Sequence, residues 1–129
     1  MKNLVVLFVF SIILVSCNSE NSIEKLESQN WEVTQINDSK DLSKTPTLSF
    51  NVAEKTIHGN AGCNNYFGDY TVTETNVAFN KMGATKMMCP DISVEDQFLE
   101  TLEKVTMYKF EGDKLVLLSA SGDELMILK

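Results

Sequence analysis

The stretch TIHGNAGCNNYFGDYTVT, residues 56–73, decides how this chain folds. Thr56-Ile57-His58 and Tyr66 through Thr73 are rich in β-branched and aromatic residues and read as strands. Between them, Gly59-Asn60-Ala61-Gly62-Cys63-Asn64-Asn65 gathers the residue types that tolerate left-handed backbone angles, so the connection is a shaped loop. Gly68 interrupts the second strand and marks a bulge or a close backbone approach.

The flanks extend this strand–loop–strand unit in both directions. Upstream, Ala53-Glu54-Lys55 is a turn, and Leu48, Phe50 and Val52 alternate with Thr47, Ser49 and Asn51 as in a half-buried strand. Pro46 bars a central ladder position just before it. The segment 37–45 is polar, and Trp31–Ile36 (WEVTQI) is the first strand. Downstream, Glu74-Thr75-Asn76 turns the chain into Val77-Ala78-Phe79. Residues 81–88 hold three methionines and Gly83 and follow neither period. A helix is expected over about 93–106, with Ser93 as its cap and Asp96 in the capping-box position. Phe98, Leu102 and Val105 form its apolar face, while Glu95, Glu100, Glu103 and Lys104 hydrate the rest. Three strands, 107–110, 114–118 and 124–128, close the chain as a meander. The expected class is α+β: a mostly antiparallel sheet curved into an open, barrel-like form with one packed helix.

The N-terminus reads differently. After Met1-Lys2-Asn3, an apolar run from Leu4 through Val15 is broken only by Ser11. As a helix it would span about 18 Å, too short for the roughly 30 Å hydrocarbon core and suited to a secretory signal peptide. Leu14-Val15-Ser16-Cys17 resembles the lipobox of bacterial lipoproteins, which implies cleavage before Cys17 and a diacylglycerol, with further acyl (palmitate-type) chains, on that cysteine. Each buried CH₂ contributes roughly 0.8 kcal/mol, so several chains anchor firmly. The expected organisation is a signal peptide at 1–16, a lipidated cysteine with a flexible tether at 17–29, and one domain at 30–129. Asn18 is not the aspartate associated with inner-membrane retention, which points to the outer membrane.

The chain carries a net charge of −7 and its basic residues are all lysine. Nucleic-acid binding requires clustered cations, so nucleic acid is not an expected partner. The absence of arginine also removes the usual bidentate clamp for phosphate and carboxylate groups. With Cys17 lipidated, Cys63 and Cys89 remain as an even pair, 26 residues apart. In an exported protein such a pair forms a disulfide when geometry allows, contributing roughly 3.5 kcal/mol by loop closure.

Several of these segments together resemble one family. Gly59 through Asn64, then Tyr66-Phe67-Gly68-Asp69-Tyr70, then Thr85-Lys86-Met87-Met88-Cys89-Pro90, then Glu95 through Phe98, are similar to the META domain, the family of the heat-shock lipoprotein HslJ. Trp31, the strand from Pro46 to Phe50 and the closing pair around Gly122 fit the same pattern, so the resemblance covers about Trp31 to Lys129. It implies a compact envelope domain, often on a lipoprotein, linked to stress response or antibiotic tolerance. It implies no enzymatic activity or cofactor.

The residues themselves offer little chemistry to a catalyst. A nucleophilic triad needs a histidine base, and the sole histidine is His58, five residues before Cys63. It reads more simply as a strand residue beside a disulfide. Cys63, Cys89 and His58, with Met82, Met87 and Met88 nearby, could also hold copper or zinc, although methionine fills irregular cores more often. Glu95 and Asp96 are explained by the charge preference of a helix N-terminus, and Asp69 by a turn or bulge. A ligand or partner contact is expected first at Asn60, Asn64, Asn65 and Tyr66. The leading expectation is therefore a non-enzymatic envelope lipoprotein without a cofactor. It would bind the membrane through Cys17 and an envelope protein or small ligand through its loops. The alternative is a periplasmic thiol-redox or copper/zinc-responsive protein using Cys63, Cys89 and His58, and a third reading is an inhibitor or chaperone-like partner of a secreted enzyme.

Overall fold

The computed structural model describes residues 21–129. The signal peptide, the lipobox and Cys17 lie outside the described residues. The elements in chain order are α1 (Ser22–Leu26), β1 (Trp31–Ile36), β2 (Thr47–Asn51), β3 (Thr56–Asn60), β4 (Asn65–Val72), β5 (Val77–Ala84), α2 (Ser93–Glu103), β6 (Met107–Glu111), β7 (Lys114–Leu118) and β8 (Glu124–Leu128). The strands form one antiparallel sheet in the order β5-β4-β3-β2-β1-β8-β7-β6. Its two edges touch at one end, where Val77 N–H donates to Thr106 O at 3.1 Å and Tyr108 N–H to Thr75 O at 3.0 Å. Elsewhere the edges part, and the sheet is curved but not closed, as the alternating pattern predicted.

Inside the curve lie Trp31, Leu48, Phe50, Ile57, Tyr66, Tyr70, Leu115, Leu117, Met126 and Leu128. These are the alternate positions of each strand, which is why a period of two places them on one face. The helix α2 adds Phe98 and Leu102, both fully buried, and Phe98 meets Tyr66 edge-on at a centroid distance of 5.2 Å. Aromatic pairs favour that geometry because ring edges and faces carry opposite partial charge.

Three boundaries differ from the sequence reading. The tether does not extend to residue 29. Asn21 caps α1 through its side chain, Leu26 is fully buried, and the Trp31 indole N–H donates to Leu26 O at 2.8 Å. A buried indole needs an acceptor, and α1 supplies it, so α1 belongs to the domain. The helix α2 ends at Glu103, short of 106, and is not capped by Ser93. Asp91 takes that role, its Oδ1 accepting from Ser93 N–H at 2.9 Å and from the Ser93 hydroxyl at 2.6 Å. These bonds hold the Asp91 carboxyl below its ordinary range. Finally, the segment without a clear period becomes strand as far as Ala84. A bulge at Lys81, with φ +50°, shifts the β4–β5 register opposite Gly68 and breaks the alternation that periodicity relies on.

Candidate functional site

The loop between β3 and β4 is held from within. Asn60 Oδ1 accepts from Gly62 N–H at 2.9 Å, and Ala61 N–H donates to Asn64 O at 2.8 Å. Beyond these turns, Asn64 is buried at 4 % exposure and Glu95 at 8 %. Glu95 Oε2 accepts from Cys63 N–H at 3.1 Å and from Asn64 N–H at 2.6 Å, and Oε1 accepts from the Asn64 amide at 2.9 Å. The other side of the Asn64 amide reaches the 85–89 segment. Its Oδ1 accepts from Thr85 Oγ at 2.9 Å and from Met87 N–H at 2.6 Å, and its Nδ2 donates to Met87 O at 3.3 Å. Cys63 and Cys89 are joined in a disulfide with their Cα atoms 6.2 Å apart. Burial alone would raise the pKa of Glu95. The donors of Asn64 and Cys63, with the Lys86 charge, outweigh it and hold the carboxyl below its ordinary range.

Glu95 is therefore not a hydrating residue of the helix face. It is the acceptor for the Gly-Cys-Asn loop, and sequence periodicity missed it because one buried carboxylate on a charged helix looks like its neighbours. The usable signal was its place in the first turn of a helix that follows the second cysteine.

The expected cluster of Cys63, Cys89 and His58 is not assembled. His58 sits on the outward face of β3, opposite Ser49 on one side and Phe67 on the other. The cysteines are bonded to each other, and Met88 is fully exposed while Met82 packs against the core. Among the described residues, no group of three or more His, Cys, Asp or Glu is placed to hold a metal ion.

A second arrangement lies on the outward face of the sheet. The β2–β3 ladder is regular from Asn51–Thr56 to Ser49–His58 and then opens. Asn60 N–H donates to the Thr47 side-chain hydroxyl at 3.0 Å, and Thr47 O accepts from the Tyr66 hydroxyl at 2.6 Å. Gly59 permits this approach, since a Cβ there would lie 2.1 Å from Thr47 O. Burial pushes the Tyr66 phenol up, so it stays a proton donor. The opening leaves a groove of about 580 Å³ lined by Asn30, Thr47, Ser49, His58, Asn60 and Asn65, with Gly59 and Tyr66 completing it. Of the four loop residues expected to meet a ligand, Asn60, Asn65 and Tyr66 line this groove, whereas Asn64 is committed to Glu95.

Beside the groove, Phe67 stands 60 % exposed. It is opposite Gly83, where a Cβ would lie 2.7 Å from the ring's Cζ, so the ring lies against bare backbone. None of Asn30, Ser49 or Phe67 was singled out by the sequence as a site residue, because their adjacency depends on strand register.

A family model described as the META domain matches residues 24–129. Two solved structures share the fold. An NMR structure of a protein from Burkholderia xenovorans is 23% identical with a TM-score of 0.61, covering 82% of this chain and 84% of that one. A second NMR structure is 19% identical with a TM-score of 0.65, covering 83% of this chain and 92% of that one. No curated protein matches the chain.

Proposed function

Because the chain belongs to the META domain family, we propose that it is a non-enzymatic binding module, lipid-anchored through Cys17 in the bacterial cell envelope. In this reading it supports stress or antibiotic tolerance by holding an envelope component in the groove between β2 and β3. The observation that carries the proposal is a contrast in commitment. The cysteines and the Asn64–Glu95 pair are spent on one another, whereas the groove gathers hydrogen-bonding side chains at the surface in a cavity of about 580 Å³. That volume falls within the roughly 300–1,000 Å³ of small-ligand clefts.

The test is survival under heat and under a membrane-active antibiotic. Three strains are compared: wild type, deletion, and a chromosomal His58→Ala/Phe67→Ala variant. The reading expects both altered strains to lose survival while the variant protein remains folded and membrane-bound. A harmless deletion would remove the stress role, and a variant as fit as wild type would remove the groove. Metabolic labelling with a tagged fatty acid should mark the wild-type protein and not the Cys17→Ala variant, and an unlabelled wild type would refute the anchor.

A further inference from the structure

We propose that the groove between β2 and β3, extended across the sheet by Phe67, binds a neutral saccharide. This inference rests on the groove being the binding surface and adds the chemical class of its ligand.

Charge comes first. In a chain of net charge −7, no lysine, aspartate or glutamate lines the groove. The charged outward residues nearest in sequence to Phe67 pair elsewhere, Asp69 with Lys81 at 3.3 Å. Glu32, opposite Thr47 in the ladder, borders a different cavity. An anionic ligand would find no cation and a cationic one no carboxylate, and each would give up its hydration for nothing.

What the lining does offer is neutral hydrogen bonding. Asn30 and Asn65 contribute planar amides, each with two donors beside an acceptor, Thr47 and Ser49 contribute hydroxyls, and His58 contributes an imidazole. Part of this capacity is used internally. The Ser49 hydroxyl donates to Asn30 Oδ1 at 2.6 Å, and the Asn60 amide is spent within the loop: its Nδ2 donates to Asn65 Oδ1 at 3.0 Å and to Cys63 O at 3.5 Å, and its Oδ1 accepts from Gly62 N–H at 2.9 Å. These bonds fix the amides and leave the NH₂ groups of Asn30 and Asn65, both exposed residues, to donate to a ligand. Adjacent hydroxyls on a pyranose ring, alternately donor and acceptor, suit such fixed amides.

Phe67 supplies the other half of saccharide recognition. A single exposed aromatic is ordinary. This one stands in the register row Ser49–His58–Phe67–Gly83, directly across from a groove residue, and Gly83 gives its ring a flat seat. The ring's opposite face is left to solvent, at 60 % exposure. Aromatic faces carry partial negative charge, and the axial face of a pyranose presents C–H groups of partial positive charge. A sugar seated on Phe67 places its neighbour in the chain over His58 and the groove.

The test uses the full chain in polyoxyethylene detergent, which carries no sugar. Saturation-transfer NMR and calorimetry are run with chitotetraose, cellotetraose and mannotetraose, and with sodium phosphate and tetralysine as charged probes. At least one tetrasaccharide should bind with a dissociation constant at or below the millimolar range. Phe67→Ala should weaken it about tenfold at unchanged melting temperature, and Phe67→Tyr should restore it. Absence of transfer to all three sugars, competition by phosphate or tetralysine, or a Phe67→Ala variant that binds as wild type would each overturn the proposal. If the sugars fail while the His58→Ala/Phe67→Ala strain still loses heat survival, the ligand class is wrong and the groove reading stands. If both fail, the groove reading falls with it.

Discussion

The β3–β4 hairpin joins two polar regions that look alike in sequence and behave oppositely in space. At its tip, Asn64 and Glu95 are buried and saturated, with three donors converging on one carboxylate and a disulfide alongside. Across its outward face, Asn30, Ser49, His58 and Asn65 line an open groove. Asparagine appears in both. What separates them is whether the hydrogen-bonding capacity is consumed by the chain, which marks structure, or displayed to solvent, which leaves it available for recognition.

The sharpest way to break this contrast is Glu95→Ala, which strands two buried donors of Asn64 and the part-buried Cys63 N–H and should cost about 4 kcal/mol in urea unfolding. A loss under about 1 kcal/mol would mean that the knot is not structural. Reducing the Cys63–Cys89 bond should cost somewhat less, roughly 3.5 kcal/mol, by the same measurement with and without reductant. The pH dependence is smaller and has a defined sign. Glu95 has a folded pKa below its ordinary value near 4.5. Its contribution is therefore present above that value and is lost as pH falls through the folded pKa. Wild type should lose stability more steeply than Glu95→Gln below about pH 4.5, and parallel acid limbs would contradict the assignment. Least of all, His58→Ala should change stability by no more than about 0.5 kcal/mol, as expected of a groove residue that supports nothing beneath it. A large loss there would erase the distinction between the two regions.

Much of the fold was legible because it rests on local period. Leu48 and Phe50, and Val77 and Phe79, announce their faces through alternation, and the structure keeps those faces. The Cys63–Cys89 pairing was expected because these two cysteines remain once Cys17 is assigned to the anchor. What escaped was set by long-range geometry. Leu26 sits in a polar segment and is buried where α1 docks on the core, its carbonyl accepting from the Trp31 indole. Glu95 is distinguished from Glu100 by the loop that comes to meet it. The groove arises from an opened ladder at Thr47 and Gly59, Phe67 joins it through the β3–β4 register that sets it across from His58, and the bulge at Lys81 shifts the register that sets Gly83 opposite its ring.

The position of α1 also sets how far the domain can stand from a bilayer. With α1 part of the fold and Cys17 acylated as proposed, the chain between anchor and domain could reach at most about 14 Å, rather than the roughly 40 Å that a tether to residue 29 would span. Asn30, in the groove wall, follows α1 closely and stays within about 35 Å of the anchor even at full stretch. A protein anchored in that way would skim the lipid headgroups and search in two dimensions, and whatever it held would itself have to come down to the membrane surface.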